Sequence, residues 1–116
     1  MRAASLALLV ALAGCAADTA ETIDDQTCPE GSELTYDNFG GPYLDSYCQR
    51  CHASAAADRN GAPSSITFDT VNDVRSHMDR IFARAAGGNT SMPPGPDDPP
   101  EAERAMLAEW LACGAP

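Results

Sequence analysis

Apolar side chains recur at helical spacing in three stretches of the chain. The first runs from Pro42 through Tyr43, Leu44, Tyr47, Cys48 and Cys51, with Pro42 suited to a first turn because its missing N–H would find no partner there anyway. The second opens on Thr70 as N-cap with Asp73 three residues on, carries Val71, Val74, Met78, Ile81, Phe82 and Ala85 on one stripe, and ends at Gly87-Gly88. The third starts around Asp98-Pro99-Pro100-Glu101, where acids favour a helix N-terminus, and continues through Met106, Leu107, Trp110 and Leu111 to Gly114. Trp110 is its expected main packing residue, and Met106 beside Leu107 is expected to pack as well. On the second stripe Met78 falls near the middle of the apolar arc and His77 at its edge, so Met78 reads as core and His77 as a boundary residue.

The intervening stretches behave differently. Residues 53–65 are small and polar, and residues 89–100 hold Met92 and five prolines, which rules out a helix there. Val and Ile are scarce from Cys28 onward and alternation is never sustained, so the pattern predicts an all-α domain of about three to four helices and almost no sheet.

Length and charge narrow the picture. With 116 residues there is room for one small domain with a modest core. A formal net charge of −10, with every base an arginine, disfavours binding to nucleic acid or anionic lipid by charge alone. The start is basic and then apolar from Leu6 to Ala13, too short to span a bilayer, and reads as a signal peptide. It closes on Leu12-Ala13-Gly14-Cys15, which resembles the lipobox of bacterial lipoproteins. That resemblance implies acylation at Cys15, with an ordinary signal peptide as the alternative. Residues 16–27 carry four acids and one large apolar residue, Ile23, and are expected to form a flexible tether. The expected organisation is thus residues 1–14 as signal peptide, 15–27 as lipidated N-terminus and tether, and 28–116 as the folded domain.

The chemistry concentrates at Cys48-Gln49-Arg50-Cys51-His52. This is the C-x-x-C-H pattern of c-type haem attachment, in which two thiols on one helical turn form thioethers and the next residue, His52, reaches the iron. A redox dithiol would want a strand before the motif, and zinc would need a fourth ligand from Cys28, Cys113 or His77.

Residues 36–116 resemble a small class I cytochrome c. The resemblance rests on the aromatic-rich helix before Cys48, the attachment motif, Pro63 about a dozen residues after His52, Met92 in a proline-rich loop, and the final Leu107-x-x-Trp110-Leu111 helix. It implies one covalently attached haem c, Met92 as distal iron ligand, and a carbonyl from Pro63 accepting the other ring N–H of His52. His77, or an open iron position, is the alternative to Met92. Pro42 departs from the family pattern by leaving Gly40-Gly41 outside the first helix, where the family places a small residue at the crossing of its first and last helices.

With Cys15 assigned to lipid and Cys48 and Cys51 to haem, Cys28 and Cys113 remain as a candidate disulfide or as two free thiols. The expected activity is one-electron transfer by an exported, membrane-anchored carrier, periplasm-facing in the bacterial envelope. Its partners would be redox proteins of an electron-transfer chain, with no nucleic acid, no small-molecule substrate and no catalytic residue. A haem subunit or sensor, and a non-haem metal-binding lipoprotein, stand as the competing classes.

Overall fold

The computed structural model describes residues 22–116; the expected signal peptide, Cys15 and most of the expected tether lie outside the described residues. Five α-helices follow in order: α1 (Gly41–Tyr47), α2 (Gln49–His52), α3 (Val71–Ser76), α4 (Met78–Ala85) and α5 (Glu101–Ala112). Among the described residues there is no strand, as expected for an all-α domain. None of the described helices is long and apolar enough to cross a membrane.

Two of the three predicted helices are broken once. The first bends at Cys48, whose φ of −117° is too extended for a regular turn, which separates α1 from α2. The second breaks at His77, where the N–H bonds back only three residues to Val74 O (2.9 Å) before α4 resumes. Thr70 caps α3 as expected: its hydroxyl accepts from Asp73 N, and its own N–H donates to the Asp73 carboxylate at 2.8 Å.

Upstream of α1 the helix starts earlier than Pro42. Thr35 caps a π-helical turn over Tyr36–Gly40, with the N–H groups of Phe39 and Gly40 both donating to Thr35 O at 3.0 Å. This wider turn runs directly into α1 and leaves room for the Pro42 ring, whose missing N–H would otherwise interrupt a tighter coil. Gly40 therefore lies within the helical run, at the crossing with α5. A β-carbon on Gly40 would stand 2.7 Å from Trp110 Cε2 and nearer still to Cζ2. Trp110 is itself fully buried, with Phe39 edge-on at 6.2 Å, and has no room to retreat. Gly40→Ala is expected to destabilise the protein by about 1–3 kcal/mol through overpacking; urea denaturation with an unchanged slope would report it.

The core joins Phe39, Tyr43 and Leu44 from the first helical run to Phe68, Val74, Ile81, Phe82, Leu107, Trp110 and Leu111. Met78 packs on its margin, as placed by the stripe, but Met106 does not: it is 38% exposed. The buried face of α5 is set by residues 104, 107, 108, 110 and 111, and Met106 falls beyond its edge, about 100° from Leu107 and about 40° outside Trp110.

The described end of the expected tether makes contact with the folded domain. Residues 22–27 include a short 3₁₀ turn over Ile23–Asp25, closed by hydrogen bonds between Thr22 and Asp25, and Ile23 packs against the core. One isoleucine suffices because the chain is fastened just beyond it: Cys28 is disulfide-bonded to Cys113 at the end of α5, with Cα atoms 4.8 Å apart. Ser32 Oγ adds a hydrogen bond of 2.6 Å to the Glu109 carboxylate.

Candidate haem-attachment site

The kink at Cys48 shapes the motif. The N–H groups of Cys51 and His52 both donate to Cys48 O, at 3.1 and 2.9 Å, so Cys48, Cys51 and His52 share one compact turn. Both cysteines are unpaired and half-buried. Burial pushes the Cys48 thiol up to about 12, which keeps it protonated at neutral pH. Asn60 Nδ2 donates to Cys51 Sγ at 3.3 Å.

His52 is fixed from two sides. Its ring stacks on Phe68 with centroids 4.6 Å apart, and Phe68 N–H donates to His52 O at 3.0 Å. Gln49 Nε2 secures the same segment through Phe68 O at 2.6 Å. His52 Nδ1 lies 3.0 Å from the carbonyl oxygen of Ile66. A carbonyl only accepts, so this contact assigns the ring proton to Nδ1 and leaves the lone pair on Nε2, the state a metal-ligating imidazole requires.

The carbonyl expected from Pro63 is thus supplied by Ile66 instead. Pro63 sits on an exposed turn whose oxygen is already taken by Ile66 N–H at 3.0 Å and by Arg59 at 2.9 Å. That turn reverses the chain and presents the carbonyl three residues later. Arg59 braces the whole loop: Nη1 donates to Ala53 O at 2.7 Å, and Nη2 donates to Ile66 O at 3.0 Å as well as to Pro63 O.

Met92 is half-buried against the same core that Cys48 borders. Its N–H donates to Arg84 O at 2.8 Å, and its carbonyl accepts from Arg104 Nη1 at 2.8 Å. Arg104 is only 4% exposed, and the same nitrogen also donates to Ala85 O (2.8 Å) and Asn89 O (3.1 Å). One buried guanidinium thereby joins the end of α4 to both ends of the segment carrying Met92. Asp98 approaches it at 3.9 Å from solvent. The Met92 loop also passes the attachment turn, where Arg50 of α2 pairs with Asp97 at 4.0 Å. Both partners are exposed, so the pair contributes position more than stability. A hydrogen bond to Glu103 raises the pKa of Tyr47 and ties α1 to the start of α5.

His77 lies elsewhere. Its ring meets the edge of Phe68 at 6.3 Å, against the same phenyl group that stacks on His52. Sequence reasoning passed over Arg59, Ile66, Phe68 and Arg104. Only Arg104 carried a signal, as a basic residue on the apolar stripe of α5 with Leu107, Ala108 and Leu111.

The donor set fits haem c. Two thiols stand free one helical turn apart beside an imidazole with an open Nε2, while the other two described cysteines are bonded to each other. The Tyr43 hydroxyl and Arg59 Nε are buried without a partner among the described residues, so polar capacity around the motif is left for a bound group. Among the described residues no three His, Cys, Asp or Glu side chains gather as a metal site, and a zinc centre finds no ligand set.

A comparison with protein families matches residues 40–111 to the model described as cytochrome C oxidase, cbb3-type, subunit III. No curated protein and no solved structure matches the chain. The match takes in the attachment motif, the Met92 loop and nearly all of α5, which is most of the described fold. The chain belongs to this family and is a c-type cytochrome that carries covalently bound haem c with its iron, for electron transfer.

Proposed function

We propose that the protein is a monohaem electron carrier, or the electron-accepting subunit of a larger oxidoreductase, in which His52 and Met92 would hold the haem iron. The observation that carries this reading is the His52 contact: Nδ1 is committed to Ile66 O, so Nε2 is free for the metal. Bound haem c would supply a one-electron couple, and a thioether with an imidazole as its protein ligands would raise its reduction potential relative to two imidazoles. The protein's own work is to hold. Cys48 and Cys51 provide the thioether sulfurs, Phe68 and Ile66 orient His52, and Arg104 and Arg84 fix the backbone on either side of Met92. His77 is a poorer candidate because it is gathered against Phe68, on which His52 already stacks.

The same reading includes acylation at Cys15, which would keep the exported domain on its membrane while redox partner proteins dock. The Cys28–Cys113 bond belongs to it too, since a protein exported to an oxidising compartment retains such a link.

A visible spectrum of the holoprotein tests the ligand set. Oxidised protein is expected to show the weak red band of sulfur-ligated ferric haem. Met92→Ala is expected to abolish that band and to let reduced protein bind carbon monoxide. A red band that survives in Met92→Ala would overturn the assignment of Met92, and a colourless protein made alongside the haem attachment machinery would overturn the whole reading.

A further inference from the structure

We propose that Arg59 is a positioning residue for His52 and raises the reduction potential of the bound iron through the carbonyl of Ile66. The inference rests on the reading of His52 as an iron ligand.

Two donors converge on one oxygen. His52 Nδ1 and Arg59 Nη2 each lie 3.0 Å from Ile66 O, an acceptor with two lone pairs to share between them. An acceptor facing the outer N–H of a ligating imidazole makes that imidazole a stronger electron donor and stabilises the ferric state. A guanidinium on the same oxygen draws its electron density the other way, because a charged donor makes the stronger hydrogen bond. The imidazole proton is then less strongly pulled and His52 donates less. The positive charge acts in the same direction, since a cation near the iron favours the form with one electron more.

The guanidinium is well placed to exert this effect. Ala53 O at 2.7 Å and Pro63 O at 2.9 Å hold it on the loop; among the described residues no carboxylate pairs with it as a salt bridge, and Asp69 interacts with it only at longer range. The step it tunes is the reduction of ferric to ferrous iron by one electron from a donor protein, with no bond broken and no proton moved. Loss of bracing alone would move that balance only by disturbing the ligand set, which the visible spectrum reports.

Redox titration of the holoprotein separates the two roles. Arg59→Gln is expected to shift the ferric-to-ferrous ratio at fixed poise about tenfold toward ferric, about 59 mV for a one-electron couple. Arg59→Lys keeps the charge but reaches one carbonyl only, and is expected to shift the ratio by about threefold. The red ferric band should persist in both. A ratio unchanged in Arg59→Gln overturns the proposal, as does a shift accompanied by loss of the red band, which would mark a loosened loop. Should Arg59→Gln fail to acquire haem, Arg59→Lys decides alone, and a ratio equal to wild type overturns it. Failure of the underlying reading looks different: unsubstituted holoprotein would lack the low-spin spectrum of imidazole-ligated haem, whatever the variants do.

Discussion

Arg104→Leu is expected to unfold the domain more easily by about 3 kcal/mol or more, because a buried acceptor left without its donor costs about 1–3 kcal/mol. Three carbonyls lose their partner together, those of Ala85, Asn89 and Met92. Leucine fills part of the space but offers no donor, and nearby water would have to enter a site where the native side chain is 4% exposed. The loss is also directional. Met92 retains its N–H bond to Arg84 O but is untethered at its carbonyl, so the red band should fade at lower temperature than the global unfolding transition. Arg104→Lys should fall between the two, since an ammonium carries donors enough for the three carbonyls that Nη1 serves but sits on a shorter stem. Urea denaturation and the band measured during heating check both parts. Unchanged midpoints would show that the three contacts contribute little.

The second large effect is expected at the opposite end of the fold. Removing the Cys28–Cys113 bond by Cys28→Ser with Cys113→Ser should cost up to about 4 to 5 kcal/mol, the chain-entropy value for a loop of this length. The bond spans 85 residues of sequence, so it restrains nearly the entire folded domain in its unfolded state. For a domain with so modest a core this is a large share of the total stability. The attachment turn and the Met92 loop lie away from the bond, and the visible spectrum of the folded double variant should match the native one. Comparison of urea midpoints, with peptide mapping without reductant to identify the linked pair, provides the measurement.

How far the sequence reached depended on the range of the interactions involved. The C-x-x-C-H turn, the Thr70 cap and the Trp110 face of α5 are local patterns within a few residues, and they were legible. The breaks at Cys48 and His77 were not, because the apolar stripe continues across both. Pro42 looked like the start of a helix for a sound local reason, yet the π turn before it accommodates the ring and carries Gly40 to Trp110. Ile66 replaced Pro63 beside His52 because backbone acceptors leave no side-chain signature, and a reversal of three residues moves the oxygen that matters. Ile23 shows the same limit at the chain's other side: the composition around it carried no sign of its contact with the core, although the Cys28–Cys113 pair beyond it was already a candidate.

The meeting of Gly40 with Trp110 bears on the order of assembly. Its two partners, like Ser32 and Glu109, are brought together from distant points of the chain, so the core cannot close until α5 has emerged from the export channel. The thiols of Cys48 and Cys51 emerge well before that. During this interval they sit on a chain whose burial is still incomplete, reachable by the enzymes that attach haem. A fold closed from its last helix thus leaves a window for covalent modification near its first.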